Sequence, residues 1–299
     1  MNWIGHLDKM TALSHTSSTD ETVVVDYFLN PSQEFQNFQD VKDFKVDREA
    51  FKLPLNSLLG KKVKLTYLQQ IHCCACGKLS KKSYQNGYCF PCTQKLAECD
   101  MCILKPELCH FRKGTCRDES FAKSHCLRDH VVYLAKSSAV KVGITRMDQI
   151  PTRFIDQGAT SFLPIFKVSE RYHSGLIEDL LRSDFADKTD WRKMLQNQVV
   201  EADLALYRDE IFENFERELD RLAEKNQIES MPIDYLEDWK ERDIIYPVLS
   251  YPEKVKSLTL EKHPVIEAVL QGIKGQYLIF DSGVFNVRNH SSYLVNIEI

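Results

Sequence analysis

The ten cysteines of this 299-residue chain all lie between Cys73 and Cys126. Thiols at such density in one short segment suit metal binding, because a disulfide-stapled domain spreads its cysteines through the whole fold. Two pairs with the spacing C-x2-C come first, Cys73 with Cys76 and Cys89 with Cys92. Each pair can place two thiolates on one tetrahedral ion from a tight turn. These four cysteines therefore predict a structural zinc site of the zinc-ribbon type.

A second group of cysteines follows directly and predicts a second zinc ion. We take its ligands to be Cys99, Cys102, Cys109 and Cys116, which begin with another C-x2-C pair. Five cysteines compete for four positions, because Cys126 is also near in sequence. A ligand set in which Cys126 replaces Cys109 or Cys116 is the open alternative.

Two short motifs and two single residues behind the cysteines match a known pattern. Residues 131–133 (VVY) stand where a nuclease family carries GIY, and residues 141–145 (KVGIT) stand where it carries YIG and the two residues after it. Arg153 and Glu178 fall where that family carries an arginine and a metal-binding glutamate. On these residues, the segment 133–191 resembles the GIY-YIG endonuclease superfamily, in its divergent branch with the motif K-I-G-I-T.

This resemblance implies a small α/β unit that cleaves phosphodiester bonds with a divalent ion. Glu178 would hold Mg2+ or Mn2+, and Arg153 would contact the phosphate with its planar donor fork. Tyr133 would relay a proton from the attacking water, with its pKa lowered by cations such as Lys141. Gly143 would let the second strand pass close to the substrate. These five residues form the predicted catalytic set.

The chain as a whole is also similar to a family of uncharacterised prokaryotic proteins. The similarity rests on the cysteines placed ahead of HVVYLA and on the stretch KGQYLIFDSGVFNVR near the end of the chain. It covers most of the chain and implies no particular activity.

The elements that must position these residues are predicted from composition and periodicity. Runs rich in β-branched and aromatic residues predict strands, and apolar residues at three- and four-residue steps predict helices. The predicted strands cover residues 22–28, 61–69, 131–135, 140–145, 161–168, 277–280, 283–288 and 293–299. The predicted helices cover residues 149–156, 172–183 and 199–226.

These elements predict the α+β fold class in five segments. They are an N-terminal β segment (1–70), a two-zinc cysteine-rich module (71–128), a GIY-YIG-like α/β unit (129–195), an acidic amphipathic helical segment (196–243) and a C-terminal β segment (244–299). Because strands at both chain ends need partners, we expect the two terminal segments to pack together as a β-barrel or sandwich.

Composition and charge narrow the class of partner. With 43% hydrophobic residues and no long apolar run, the chain is expected to fold in the cytoplasm, without a signal peptide or membrane span. Residues 73–130 hold ten Lys and Arg against six Asp and Glu, whereas residues 196–243 hold six against fifteen. The basic part predicts a nucleic acid as partner, and the acidic helix predicts a protein partner.

Two functions follow from these features. The first is a zinc-containing nucleic-acid-binding protein that acts as a divalent-metal-dependent endonuclease of GIY-YIG type. The alternative is a catalytically inactive nucleic-acid-binding or protein-interaction adaptor on the same scaffold. Lys141 motivates this alternative, because many GIY-YIG nucleases carry a second tyrosine at that position.

Overall fold

The computed structural model of the protein describes residues 2–16, 22–29, 52–182, 185, 190–226, 228 and 231–299. Its internal contacts divide it into two compact units. The first unit comprises Met1–His15, Val24–Lys95 and Tyr246–Ile299, and the second comprises Thr16–Val23 and Leu96–Ile245. The division after Lys95 falls between the two groups of cysteines, so the predicted cysteine-rich module at 71–128 contributes residues to both units.

The described chain is a mixed α+β fold with two sheets. Its strands are β1 (Asn2–His6), β2 (Thr11–Thr16), β3 (Val23–Leu29), β4 (Leu53–Pro54), β5 (Lys62–Ile71), β6 (His130–Lys136), β7 (Val140–Arg146), β8 (Ser161–Val168), β9 (Ile233–Tyr235), β10 (Arg242–Ile245), β11 (Ser257–Leu258), β12 (Val265–Lys274), β13 (Tyr277–Phe280), β14 (Gly283–Asn286) and β15 (Tyr293–Glu298). Its α-helices are α1 (Phe90–Thr93), α2 (Met101–Leu104), α3 (Glu119–Phe121), α4 (Thr152–Asp156), α5 (Arg171–Leu181), α6 (Trp191–Leu195) and α7 (Leu204–Lys225).

The sheet of the first unit joins strands from both ends of the chain. Seven strands follow the order β1-β15-β5-β12-β13-β14-β11. Strand β15 pairs antiparallel with β1 on one side and with β5 on the other, so the terminal segments expected to pack together share one sheet. Alternate residues of these strands are buried, as the period of two in a half-buried strand requires.

The sheet of the second unit carries the strands of the segment predicted at 129–195. Strand β8 pairs antiparallel with β6 and with the shorter β9 and β10, and β6 pairs antiparallel with β7. Helix α5 packs on β6, β7 and β8, and α7 packs on β6 and β8. A continuous core of aliphatic and aromatic side chains joins the strands to the two helices.

Helix α7 confirms the predicted amphipathic helix but begins five residues later than expected. The side chain of Asp203 accepts hydrogen bonds from the backbone N–H groups of Ala205 and Leu206, which fixes the start of the helix at Leu204. Ile211 and Leu219 lie buried on its inner face. Across the part of the chain that the structure describes, none of the helices combines the length and apolar character of a membrane span.

The predicted strands are confirmed to within a few residues at each end. The helix predicted from residue 149 starts only at Thr152, and the helix predicted at 172–183 is observed as α5 from Arg171. Residue 183 lies outside the described residues. The sequence prediction missed the long β12 and six shorter strands, which are β1, β2, β4, β9, β10 and β11.

Candidate functional site

The first group of cysteines forms one compact cluster in the first unit. Cys73 follows β5, and a Gly77 N–H donates to the Cys73 carbonyl at 2.9 Å to close the first turn. Gly77 holds a φ of 69°, a left-handed conformation that glycine adopts without strain. The Cys89 carbonyl likewise accepts from the Cys92 N–H at 3.0 Å. Two matching turns therefore present the thiols of the two C-x2-C pairs.

The geometry of these four thiols fits a tetrahedral metal ion. The sulfur atoms of Cys73, Cys76, Cys89 and Cys92 all lie within 4.8 Å of one another, and the Cys76 and Cys89 sulfurs are 3.7 Å apart. A zinc ion with bonds of about 2.3 Å to four thiolates holds its sulfurs about 3.8 Å apart. These four cysteines could hold a metal ion, and their thiol chemistry and spacing are consistent with zinc.

The backbone around Cys73 favours the thiolate form that a metal requires, whereas burial raises the pKa of the Cys76 and Cys92 thiols. Burial alone raises the pKa of the Cys73 thiol. Hydrogen bonds from the backbone of Cys76, Cys89 and Ala75 outweigh that effect and lower the pKa to about 7. Donor groups of this kind stabilise negative charge on sulfur whether or not an ion is bound.

The second group of cysteines surrounds a small cavity in the second unit. The cavity has a volume of about 20 Å³. The residues that line it include Cys102, Cys109, Cys116 and Cys126, whereas the buried Cys99 is not among them. The cavity is large enough for one small ion or water molecule. Cys126 therefore lines this cavity together with three of the predicted ligands.

Asp100, Cys102 and His110 also bring ligand atoms within 4.8 Å of one another beside this cavity. The Asp100 carboxylate is already engaged, because the Arg117 Nε lies 2.6 Å from one of its oxygens. The same carboxylate accepts a hydrogen bond from the Cys102 N–H and caps α2. Asp100 is therefore held as a helix cap and ion-pair partner.

Tyr133 and Gly143 form a cross-strand pair of β6 and β7. A Cβ atom added to Gly143 would lie only 2.6 Å from the Tyr133 hydroxyl oxygen. The phenol ring of Tyr133 therefore leaves no room for a side chain at position 143. We expected Gly143 to let the substrate approach the strand backbone, but its surroundings indicate this packing role instead. The Tyr133 hydroxyl donates to the Gln157 Oε1 at 3.2 Å.

Tyr133 is buried, with 1% of its surface exposed, and its ring packs edge-on against Phe154. Burial raises the pKa of the Tyr133 hydroxyl, and the opposing effect of the Arg153 charge does not overcome it. The expectation that nearby cations lower this pKa is therefore wrong. The physical reason is that the ring sits inside the core, where the phenolate is poorly solvated.

The other predicted catalytic residues come together beside Tyr133. The charges of Arg153 and Glu178 act on the pKa of Lys141, and the charges of Arg153, Arg171 and Arg182 act on the pKa of Glu178, so these five residues form one cluster. Burial lowers the pKa of Lys141 to about 8, with the Arg153 charge acting in the same direction and Glu178 opposing it. Burial raises the pKa of Glu178 against the attraction of the three arginines.

Two arginines of this cluster carry buried donors that the structure leaves unsatisfied. The Nε atoms of Arg153 and Arg171 have no hydrogen-bond partner among the described residues. An Nη of Arg171 donates to the Ile103 carbonyl at 2.7 Å, which fixes the start of α5 against the second cysteine region. Buried N–H donors without acceptors are costly, so an oxyanion beside them would be stabilised.

The cluster suits an anion better than a bare divalent ion. Glu178 stands among four cations, and within the described ranges it shares no group of three or more metal-ligating side chains. Mg2+ and Mn2+ are bound through one or two carboxylates together with phosphate oxygens in many phosphoryl-transfer sites. Glu178 therefore fits such an ion only when a phosphate supplies further ligands.

Sequence reasoning missed Arg171, Arg182 and Gln157 of the cluster beside Tyr133. Arg171 precedes Glu178 by seven residues on the same helix, a spacing that places both on one face and could have revealed it. Gln157 follows Arg153 by four residues. Cys126 was considered as a replacement for Cys109 or Cys116, but the structure places it with both of them.

Comparison with known proteins gives one match. The family model described as "Protein of unknown function (DUF2797)" matches residues 60–295. No curated protein and no solved structure matches the chain.

Proposed function

The chain belongs to this family of proteins of unknown function, and on its geometry we propose that it is a zinc-containing nucleic-acid-binding protein. The observation that carries the proposal is the convergence of Lys141, Arg153, Arg171 and Arg182 around the half-buried carboxylate of Glu178. Such an excess of positive charge with unsatisfied arginine donors supports the binding of a phosphate group of the nucleic-acid backbone.

Arginine is well suited to this role. Its planar guanidinium offers donors in a fixed fork that matches two oxygens of one phosphate. In the proposed complex, the Nε groups of Arg153 and Arg171 donate to phosphate oxygens and so gain the acceptors that they lack. Lys141 adds a point charge from the neighbouring strand β7.

Cleavage of the bound strand, as the GIY-YIG resemblance implies, is the second candidate function. It is favoured by Lys141, whose pKa of about 8 leaves a useful fraction of neutral amine beside Glu178. In this candidate, Lys141 accepts the proton of the attacking water in place of the buried Tyr133. A Mg2+ or Mn2+ ion held by Glu178 and the phosphate would supply charge neutralisation at the reacting oxygens.

Substitution of Glu178 by glutamine separates the two candidates. Fluorescence anisotropy with labelled single- and double-stranded DNA and RNA measures binding, and gel analysis in Mg2+ or Mn2+ measures cleavage. For a binding site, Glu178→Gln tightens binding, because it removes a nearby negative charge that repels phosphate. For a nuclease, the same substitution abolishes cleavage.

Glu210→Gln, which changes an exposed carboxylate on α7, is the matched control and should alter neither readout. Arg153→Gln should weaken binding in either case. Wild-type affinity in Arg153→Gln would overturn the proposed phosphate site. If the wild-type protein binds tightly but does not cleave, only the binding function remains. Cleavage that persists in Glu178→Gln would exclude the proposed mechanism.

We also propose that the protein holds two zinc ions. The first is bound by the four cysteines of the first unit. For the second we propose Cys102, Cys109, Cys116 and Cys126, because these four cysteines line one cavity of ion size. Cys99 belongs to the predicted set, but its absence from that lining favours Cys126.

Metal content distinguishes the two ligand sets. Each variant is purified from zinc-supplemented culture, and zinc per chain is measured by plasma mass spectrometry. The zinc content of Cys126→Ser should be about one ion per chain, compared with about two for the wild type. The matched variant Cys99→Ser should keep both ions. The opposite pattern would restore the set that includes Cys99.

The predicted protein partner at the acidic helix stays part of the proposal. Helix α7 buries Leu204, Ile211 and Leu219 and leaves its acidic side chains exposed. Such a face would suit a basic protein surface.

A further inference from the structure

The first cysteine module, defined as residues 73–95, exposes two aromatic rings. The Phe90 side chain is 57% exposed and that of Tyr84 is 37% exposed. Their ring centroids lie 5.8 Å apart in an edge-to-face arrangement. Large aromatic side chains are normally buried, so a pair of exposed rings in contact marks a surface that binds something.

Both rings stand on backbone that is held in place. Tyr84 and Tyr88 exchange two backbone hydrogen bonds of 2.8 Å and form a tight hairpin that leads directly into Cys89. Phe90 lies between Cys89 and Cys92, so its backbone is fixed by the turn that presents two metal ligands. Rings that are already positioned lose little conformational freedom when a partner binds.

The charge of the module points to an anionic partner. Its ionisable side chains other than cysteine and tyrosine are four lysines, Lys78, Lys81, Lys82 and Lys95, and it has no Asp, Glu, Arg or His. All four lysines are exposed. Four thiolates on one divalent ion carry two negative charges, so the loaded module keeps a net charge of about +2.

We propose that this aromatic–lysine surface (Tyr84, Phe90, Lys78, Lys81 and Lys82) binds single-stranded nucleic acid by stacking unpaired bases on its rings. The inference rests on the proposed function and adds a second contact and a strand preference to it. Stacking needs a free π-face, which a paired base inside a duplex does not offer, whereas lysines attract the phosphates of any strand. A protein partner would gain little from an all-lysine rim unless it were strongly acidic.

The test uses the zinc-loaded full-length protein and three labelled probes. These are an oligothymidylate, an oligouridylate of the same length and a duplex of that length, so that DNA, RNA and paired bases are compared. We expect both single strands to bind more tightly than the duplex. The double variant Tyr84→Ala/Phe90→Ala should lose about 5- to 100-fold in affinity for the single strands, because each stacked base contributes substantially to binding.

The conservative variant Phe90→Tyr tests whether a loss of affinity in the double variant comes from misfolding. It keeps a ring at the same position and should bind nearly as tightly as the wild type. Tyr207→Ala is the matched control, since Tyr207 is 38% exposed and contacts Phe185 with ring centroids also 5.8 Å apart. Zinc content and circular dichroism of each variant confirm that the module is loaded and folded.

The outcomes separate this inference from the proposed function. If the double variant binds single strands as tightly as the wild type, or if the duplex binds as tightly as the single strands, the aromatic–lysine surface is not the stacking site. The proposed function then still stands if Arg153→Gln weakens binding. If the wild-type protein binds none of the three probes, both proposals fail. Loss of binding in the double variant with retention in Phe90→Tyr and Tyr207→Ala supports the inference.

Discussion

Gly143 and Tyr133 lie opposite each other on paired strands, and the absence of a side chain at Gly143 makes room for the phenol. The Tyr133 ring cannot swing aside, because it is buried and packed against Phe154. We therefore expect Gly143→Ala to destabilise the protein by about 1–3 kcal/mol through overpacking. Urea unfolding followed by circular dichroism measures this difference.

The leucine variant of Tyr133 provides the control for that prediction. Leucine places no atom where the phenol hydroxyl stands, so Gly143→Ala in the Tyr133→Leu background should cost less than in the wild type. The coupling energy of this double-mutant cycle should be on the order of 1 kcal/mol. Equal costs in both backgrounds would show that the glycine is required for another reason, such as the approach of substrate.

Single residues differ in how far their roles can be predicted from sequence. The first cluster of four thiols was predictable, because the C-x2-C spacing places two ligands within one turn. The second ligand set was not, since it depends on which cysteines meet across separate turns, and there Cys126, not Cys99, is among the residues that line the cavity. The raised pKa of Tyr133 also depends on burial, which a motif does not encode.

Strand β12 shows that secondary-structure elements, too, can depend on contacts that the local sequence does not reveal. The sequence prediction missed this strand, and Gly272 lies inside it at a bulge, where the register with β13 shifts. A Cβ at Gly272 would come within 2.7 Å of a Val248 methyl carbon, so this glycine permits a close approach between two segments. Strands and helices with strong periodicity, such as α7, were predicted because their pattern is local.

The end of β12 carries a buried lysine that should make the stability of the protein depend on pH. Lys274 is fully buried, and its ammonium nitrogen lies 5.5 Å from the ring centroid of Tyr246 and 5.3 Å from that of Tyr251. Burial lowers the pKa of Lys274 from 10.5 to about 8. Below about pH 8 the folded state holds Lys274 as a buried charge, whose loss of hydration opposes folding.

As the pH rises from about 8 to 10.5, the folded state releases this proton before the unfolded state does, so this residue's contribution to stability increases. Lys274→Met removes the effect. We expect Lys274→Met to be more stable than the wild type by roughly 2 kcal/mol at pH 7, with the difference shrinking towards pH 10. Chemical unfolding at several pH values measures it.

Lys262→Met, which changes an exposed lysine of the same unit, should show no such pH dependence relative to the wild type. A stability difference for Lys274→Met that stays constant from pH 7 to pH 10 would show that the Lys274 ammonium is stabilised by its surroundings rather than penalised by burial.

At the scale of the whole molecule, the net negative charge opposes nucleic-acid binding, whereas local clusters of positive charge favour it. The chain carries a formal charge of −4, and the segment at 196–243 is strongly acidic. A general attraction of the protein to a polyanion is therefore excluded, and binding must come from confined clusters. The two proposed contacts, one in each unit, would act by different means: arginine donors on a phosphate in the second unit, and rings and lysines in the first.

The salt dependence of binding counts these contacts directly. Each phosphate neutralised on a single strand adds about 0.7 to the slope of log affinity against log salt concentration. Lys81→Gln/Lys82→Gln should therefore lower the slope by about 1.4 if both lysines contact phosphates. Tyr84→Ala/Phe90→Ala should weaken binding without changing the slope, because stacking releases no counterions.

Lys254→Gln/Lys262→Gln, which removes two exposed lysines of the same unit, should leave both affinity and slope unchanged. A slope that falls equally in both lysine variants would mean that the nucleic acid responds to the charge of the whole unit, and the aromatic–lysine surface would lose its claim to a specific contact.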